Sequence, residues 1–225
     1  MILFDNVTKR YPLGNIALQN ASFEIKDHEY VFLVGASGAG KTTILKLLMR
    51  EMLPTEGTVT INDLEISSPQ FKTIETLRRS IGMIFQDFKV LPDKNVFENI
   101  AVSLKIMNAT KTRIKDDLAE ALSLVGLSEK SLMFPAQLSA GELQRVAIAR
   151  AIVGDRDIIL ADEPTGNLDP KTTWEIMKIF KKLEGKKTII IATHNTDVVN
   201  SLKKRVIILE QGKIIKDIKK GGYDL

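Results

Sequence analysis

The segment from Gly35 to Thr42 reads Gly-Ala-Ser-Gly-Ala-Gly-Lys-Thr, and these residue types at this spacing can bind a chain of phosphates. Glycines let successive backbone N–H groups turn toward one anion, and Lys41 adds a full positive charge. The hydroxyl of Thr42 is placed to ligate magnesium. A glycine-rich loop that only caps a helix does not need both Lys41 and Thr42. We call the following residues the phosphate loop: Gly35, Ala36, Ser37, Gly38, Ala39, Gly40, Lys41, Thr42 and Thr43.

Two carboxylates, Asp162 and Glu163, come at the end of the apolar run that begins at Ile158. Because neighbouring residues of a strand point to opposite faces, we expect the two acids to have different roles. Asp162 is assigned to Mg²⁺, directly or through water, and Glu163 to polarising the water that attacks the γ-phosphate. The alternative is a strand-end turn with solvated acids. Combined with the phosphate loop, the pair predicts hydrolysis of a nucleoside triphosphate with Mg²⁺ as cofactor.

A third polar segment, Leu138–Glu142, introduces a helix that continues to about Val153. Ser139 is a natural N-cap for this helix. A capped helix start is also a second position where an anion is stabilised. Taken alone, the segment indicates only a capped helix.

Strands and helices must alternate along the chain to position these segments. Tyr30–Val34 is a short apolar strand before the phosphate loop, and Lys41–Met52 has the apolar spacing of a helix. Further strands are predicted at Thr58–Ile61, Ile81–Phe85, Asp157–Ala161, Thr188–Thr193 and Val206–Leu209. Further helices are predicted at Asn95–Met107, Lys111–Val125, Gly141–Val153, Lys171–Leu183 and Thr196–Leu202. This alternation predicts a parallel α/β sheet.

The first 25 residues predict an antiparallel β layer, with strands at Ile2–Tyr11 and Ala17–Ile25 around a turn at Pro12–Asn15. The predicted fold is therefore an α/β core of the P-loop NTPase type with an N-terminal antiparallel layer and an inserted α-helical subdomain. We expect one domain over residues 1–225. Its core covers about 1–86 and 156–225, and its helical subdomain covers about 87–155.

Composition excludes several classes of protein. The 225 residues contain no cysteine, which rules out a disulfide framework, a thiolate zinc site and a catalytic thiol. Thirty-two basic and 28 acidic residues leave a net charge of +4, which suits an anionic small ligand without requiring nucleic acid. The chain has no apolar run long enough to span a bilayer and no signal-peptide pattern, so we expect it to remain in the cytoplasm.

The order of these motifs, followed by Asn167-Leu168-Asp169 and Thr193-His194, resembles the nucleotide-binding subunit of an ABC ATPase over essentially the whole chain. The resemblance implies that Tyr11 stacks on adenine and that Asp169 is the acid of the D-loop. It implies that Gln86 is the glutamine of the Q-loop, which binds magnesium and takes part in catalysis, and that His194 touches the γ-phosphate. From the residues alone, Tyr11 also fits a half-buried strand aromatic, and Gln86 and His194 also fit polar caps of strands.

The resemblance further implies that Ser139, Gly141 and Glu142 bind the ATP held by a second copy of the chain, so that ATP joins a homodimer. One position departs from the family pattern, because Ala140 stands where glycine is usual. Leu143 also replaces a frequent glutamine. We expect slower or slightly weaker closure of the dimer from the extra methyl group, with the site still active.

The segments Ile84–Pro92, Val96–Ala101 and Tyr30–Gly35 resemble the FtsE-type cell-division ATPases of this family. That resemblance implies a peripheral protein at the cytoplasmic face of the membrane, acting on an FtsX-like integral membrane protein that activates cell-wall hydrolases. The alternatives are a lipoprotein-releasing or macrolide-exporting ATPase, which share Asp162–Asp169, and a weakly active ATP-dependent scaffold. We do not expect the chain to bind nucleic acid, since it has one cassette and no basic arm.

Overall fold

The computed structural model describes residues 1–12 and 14–221. Within these residues the chain forms two compact units, 1–78 with 184–221 and Arg79–Leu183. Leu13 of the predicted turn and the last four residues of the predicted core, 222–225, lie outside the described residues. The assignment of residues 87–155 to a helical subdomain stays a prediction.

The described part of the chain contains ten strands and seven α-helices. The strands are β1 Ile2–Arg10, β2 Ile16–Ile25, β3 Tyr30–Val34, β4 Glu56–Ile61, β5 Leu64–Glu65, β6 Ile81–Ile84, β7 Ile158–Asp162, β8 Thr188–Thr193, β9 Arg205–Glu210 and β10 Lys213–Ile218. The helices are α1 Lys41–Leu48, α2 Ile74–Ser80, α3 Val96–Ile106, α4 Lys111–Val125, α5 Ala140–Ile152, α6 Pro170–Leu183 and α7 Thr196–Leu202.

The first unit contains two groups of strands. An antiparallel sheet has the order β2-β1-β4-β5, as the N-terminal segment predicts. The other group has the order β10-β9-β3-β8, in which β3 is parallel to both of its neighbours. Every residue of β3 is buried, which is typical of a strand covered on both faces of a sheet. The last residue of β3, Val34, lies opposite Thr193 of β8 and Ile208 of β9, so the phosphate loop begins at the carboxyl edge of these strands.

The second unit combines the parallel pair β6 and β7 with helices α3 to α6. Strand β6 packs closely on helix α5 through Gly82. A Cβ atom added to Gly82 would lie 2.0 Å from the carbonyl oxygen of Ala151, so a side chain there would displace the helix backbone. Helix α3 starts at a capping box, in which the Asn95 side chain accepts from the N–H of Glu98 and the Glu98 carboxylate accepts from that of Asn95.

The observed α/β architecture with a separate antiparallel sheet confirms the predicted fold class. Several predicted boundaries differ by one or two residues, and the largest difference is in α1, which ends at Leu48 instead of Met52. Arg50 adopts a left-handed conformation with φ of 49°, which stops the helix. The Arg50 guanidinium donates to the carbonyl oxygens of Ile66 at 2.7 Å and Ser68 at 2.8 Å, and these bonds hold the turn.

Candidate nucleotide site

The phosphate loop connects β3 to α1, and two of its glycines are fixed by their neighbours. Gly35 has a φ of 149°, and an added Cβ would lie 2.2 Å from the carbonyl oxygen of Leu209. Gly40 has a φ of 108°, and its Cβ would lie 2.6 Å from the carbonyl oxygen of Ala17. Residues 36–38 between them are exposed. The loop is therefore held at both ends against other backbone segments, while its central residues are exposed.

Lys41 is the first residue of α1, and its ammonium group lies inside the curve of the loop. The Nζ atom donates to the carbonyl oxygens of Gly35 at 2.8 Å and Ala36 at 3.1 Å. The residue is only 7% exposed, which is rare for lysine unless its charge is compensated. Thr42 is exposed and Thr43 is buried on the same helix. This arrangement places a positive charge and a helix N-terminus at the same point, as an anion-binding loop requires.

A cavity of about 470 Å³ borders the loop on the side of β9 and β10. Residues 36–39 form one wall, and residues 208–211 form another. Ile215 and Lys216 complete the lining. The cavity leaves the outer side of the loop accessible to a ligand of small-molecule size.

Two further predicted residues lie in the same unit as the phosphate loop. His194 is exposed and directly follows β8, whose last residue Thr193 pairs with Val34, so His194 lies beside the start of the loop. Tyr11 directly follows β1, and its N–H donates to the carbonyl of Asn15 at 2.8 Å. Tyr11 is half-buried and its hydroxyl lies 3.9 Å from the sulfur of Met52. Its role as an adenine platform stays a prediction.

In the second unit, β6 and β7 bring Gln86 close to Glu163. Ile84 pairs with Ala161, so Gln86 and Glu163 each lie two residues beyond that pair at the carboxyl edge. The prediction that both acids belong to the strand is wrong, because β7 ends at Asp162 and Glu163 has a φ of 46°. Strand alternation therefore does not set the relative directions of the two carboxylates, because Glu163 itself is left-handed.

Ser139 caps α5 as the sequence predicts, and it forms a capping box with Glu142. The Ser139 Oγ accepts from the N–H of Glu142 at 3.3 Å, and the Glu142 carboxylate accepts from the Ser139 N–H at 2.9 Å. The same carboxylate forms an ion pair with Lys130. The hydrogen bond from Lys130, followed by that from the Ser139 N–H, lowers the pKa of Glu142 from the ordinary 4.5 to about 2. Ala140 is exposed and leaves this cap intact.

The start of α5 is also connected to Asp169 through Thr172. A Cβ added to Gly141 would lie 2.4 Å from the Cγ2 atom of Thr172, so the glycine allows the close approach of α6. Thr172 donates its N–H to Asp169 at 3.0 Å and its hydroxyl at 2.5 Å. These bonds lower the pKa of the exposed Asp169 carboxyl. Asp169, which follows Gly141 by 28 residues in the sequence, therefore belongs to one connected group with Ser139 and Gly141.

Sequence reasoning missed two polar side chains of α5 that bind the loops beyond β6 and β7. Gln144 is 1% exposed and donates to the carbonyl of Pro164, and Arg150 donates to the carbonyls of Phe88 and Lys89. For Gln144 a signal was present, since it is polar on the helix face that also carries Gly141 and Ile148. For Arg150 there was none, because basic residues are ordinary in the last turn of a helix.

The chain is similar to several known proteins. Residues 18–166 match the family described as ABC transporter. The chain is 47% identical over 224 residues to the cell division ATP-binding protein FtsE of Bacillus subtilis, covering 99% of this chain and 98% of that protein. The chain belongs to the ABC transporter family. It is therefore an ATPase subunit of the ATP-binding cassette type.

Two further similarities show how widely this cassette is shared. The chain is 42% identical to the methionine import ATP-binding protein MetN 2 of Bacillus cereus, covering 96% of this chain and 66% of that protein. A dimeric, post-hydrolysis structure of the ATP-binding cassette MJ0796, bound to ADP and Pi, superimposes with a TM-score of 0.88 at 35% identity. The superposition covers 99% of this chain and all of MJ0796, and it identifies the fold as an ABC cassette.

Replacing Lys41→Ala is expected to weaken ATP binding roughly tenfold to a hundredfold, because a charge-assisted hydrogen bond contributes about 1.5–3 kcal/mol. Lys46→Ala removes an exposed ammonium from the same helix and serves as the control. Titration with a fluorescent ATP analogue measures both affinities. Equal affinities for the two variants would contradict the role of Lys41.

Lys130→Met is expected to lower the free energy of unfolding at pH 7, because ionised Glu142 loses its ion pair. The pKa of Glu142 is depressed in the folded state, so its stabilising effect is present above about pH 4.5 and is lost as the pH falls toward 2. The difference from the wild type should therefore shrink over that range. Urea denaturation between pH 7 and pH 2.5 measures it, with Lys115→Met on the exposed face of α4 as control. A pH-independent difference would contradict the assignment.

Proposed function

We propose that the chain is the ATP-hydrolysing subunit of an FtsE-type complex, in which ATP-driven pairing of two copies acts on an FtsX-like integral membrane protein that controls cell-wall hydrolysis in cell division. The observation that carries this proposal is the 47% identity, over nearly the full length of both chains, to a protein named for cell division. The Gln86–Leu91 segment supports it by its likeness to the same group. A methionine-import ATPase is the second candidate, because of the 42% identity to MetN 2.

The residues of the phosphate loop fit a triphosphate. Gly35 and Gly40 hold the loop against the backbones of Leu209 and Ala17, and Lys41 supplies a positive charge for the phosphates. Hydroxyl, amide and carboxylate oxygens of Thr42, Gln86 and Asp162 are the hard donors that Mg²⁺ prefers. When bound, Mg²⁺ offsets negative charge that develops on the transferring phosphoryl group.

In this proposal Glu163 accepts a proton from the attacking water, and Gln86 and His194 orient the reacting groups. The left-handed conformation of Glu163 supports a functional role, because strained backbone conformations are concentrated at active sites. The carboxyl-edge position of Gln86 beside Glu163 supports a shared task for the two side chains. Tyr11 stacks on the adenine ring.

The exposed position of Ser139 supports pairing of two copies. The residue caps α5 at the surface, where its helix N-terminus can stabilise an anion held by another copy. Gly141, Glu142 and Asp169 lie in the same connected group and would line that contact. ATP then acts as part of the interface of a twofold homodimer.

A peripheral position on the cytoplasmic face of the membrane completes the proposal. Within residues 1–12 and 14–221, no helix has both the length and the apolar character needed to cross a bilayer. Attachment would instead come from the membrane partner. The loop that follows Gln86 is a suitable contact for it, since Phe88 is only partly buried in that loop.

Glu163→Gln is expected to keep ATP affinity but to lose about 10²-fold or more of turnover, because the amide cannot accept the proton from water. The variant should accumulate as an ATP-bound dimer. Phosphate release and size-exclusion chromatography with ATP measure the two effects, and Glu175→Gln on α6 is the control. A Glu163→Gln protein with wild-type turnover would refute the assignment of the base.

Phe88→Glu is expected to prevent co-purification of the membrane partner while leaving ATP binding unchanged, because a charge is placed on the proposed contact. Leu64→Glu places the same charge on an exposed apolar position of β5 and is the control. Mass spectrometry of material purified from membranes identifies the partner. An FtsX-like protein lost only with Phe88→Glu supports the proposal, and a methionine permease supports the second candidate.

A further inference from the structure

Two loops that carry predicted catalytic residues contain non-glycine residues in the left-handed region. Glu163 has a φ of 46°, and Phe88 and Lys89, which follow Gln86 closely, have φ of 60° and 49°. Such conformations are unfavourable for residues with side chains and persist only where surrounding contacts hold them. The contacts that hold these two loops therefore determine where Gln86 and Glu163 lie.

The turn at Glu163 is held by Gln144. The Gln144 amide is 1% exposed, and its Nε2 donates to the carbonyl oxygen of Pro164 at 2.7 Å. Its Oε1 is buried with no hydrogen-bond partner within the described part of the chain, which is unfavourable. An apolar side chain of similar length would avoid that cost. The contribution of the amide at this position is therefore its bond to the peptide that follows Glu163.

The loop after Gln86 is held by Arg150. The two terminal nitrogens of its guanidinium donate separately, Nη1 to Lys89 at 2.6 Å and Nη2 to Phe88 at 3.0 Å. A planar guanidinium fixes two acceptors in one geometry, which a single ammonium cannot do. The carbonyl of Arg150 itself accepts from Ser103 at 3.0 Å and Arg156 at 3.0 Å, so the end of α5 is anchored as well.

Both holding side chains belong to α5, the helix that starts at Ser139. The same helix packs against β6 at Gly82, where the backbones approach too closely for a side chain. Strand β6 leads directly to Gln86. Helix α5 therefore contacts the Gln86 segment in two ways, through Arg150 and at Gly82, and the Glu163 turn through Gln144.

We propose that Gln144 and Arg150 are positioning residues through which α5 couples its Ser139 end to Glu163 and to Gln86. Gln144 sets the position of the catalytic carboxylate, and Arg150 sets the position of the magnesium-binding glutamine. The inference rests on the proposed roles of Glu163 and Gln86. It adds that the cap at Ser139, the Gln86 loop and the Glu163 turn move together, because helix α5 holds all three.

The first test measures steady-state ATPase activity of Gln144→Glu and Arg150→Lys. Both should lower kcat roughly tenfold to 10²-fold with the KM for ATP nearly unchanged, because misplacement of a catalytic group affects the chemical step. Arg150→Lys should also raise the Mg²⁺ concentration for half-maximal activity, and Gln144→Glu should not. Arg113→Lys on α4 makes the same change at an exposed position and is the control.

A pH profile separates positioning from a general loss of structure. In Gln144→Glu, a protonated carboxyl group can donate to Pro164, whereas the ionised group repels that carbonyl oxygen. Because burial favours the neutral form of the new side chain, its turnover relative to the wild type should rise as the pH is lowered. A relative turnover that does not change with pH would overturn the role of Gln144.

A double-mutant cycle completes the test. In a Glu163→Gln background, Gln144→Glu should cause no further loss of turnover, although its effect on thermal unfolding should remain. In a Gln86→Ala background, Arg150→Lys should no longer change the Mg²⁺ dependence. Fully additive losses would overturn the inference and leave the proposed function intact, whereas an active Glu163→Gln protein would refute the proposed function itself. If Gln144→Glu does not fold, Gln144→Met replaces it in the kinetic and double-mutant tests.

Discussion

The phosphate loop depends on the enclosure of one ammonium group by backbone carbonyls. Lys41 is buried because the carbonyl oxygens of Gly35 and Ala36 accept from it, and the loop must curve tightly to reach it. Gly35 and Gly40 approach the backbones of Leu209 and Ala17 too closely for a side chain, so glycine is required at both ends of that curve. The neighbouring strands therefore fix the shape of the phosphate loop through backbone contacts. A cation so enclosed keeps its position relative to the helix N-terminus beside it.

The second unit holds carboxylate and amide groups at the ends of its strands. Residues at the carboxyl edge of parallel strands have no further ladder to fix them. Here Gln86 and Glu163 leave β6 and β7 at paired positions, and side chains from α5 bind the carbonyls that follow. The carbonyl groups of these strained loops thus accept hydrogen bonds from side chains of α5, as buried or partly buried carbonyls require.

Elements with strong local signals were predictable from sequence. Helix α4 was predicted at its observed bounds, because Thr110 caps its start and Gly126 takes the left-handed conformation at its end. Edge strand β10 was missed, since its three isoleucines are mixed with charged residues and give no clear periodicity. The left-handed conformation of Arg50, which shortens α1, is held by contacts with residues 66 and 68 and leaves no mark in the local sequence.

The candidate site shows the same division. Motif residues such as Lys41 and Asp162 are recognisable because their chemistry requires fixed spacing along the chain. Gln144 and Arg150 act on loops 20 and about 60 residues away, so no local pattern shows which carbonyl groups they bind. The left-handed conformation of Glu163 could not be predicted from sequence either, because alternation along a strand does not show where the strand ends.

The capping box at Ser139 already uses the hydroxyl hydrogen that this serine would donate to a phosphate. Glu142 is ionised at neutral pH, so the Ser139 hydroxyl donates its single hydrogen to that carboxylate at 3.0 Å. To bond to a phosphate oxygen, the hydroxyl must rotate this hydrogen away from Glu142. The carboxylate keeps the Ser139 N–H and Lys130 as donors after that rotation. The serine can thus exchange one acceptor for another while the helix start stays folded.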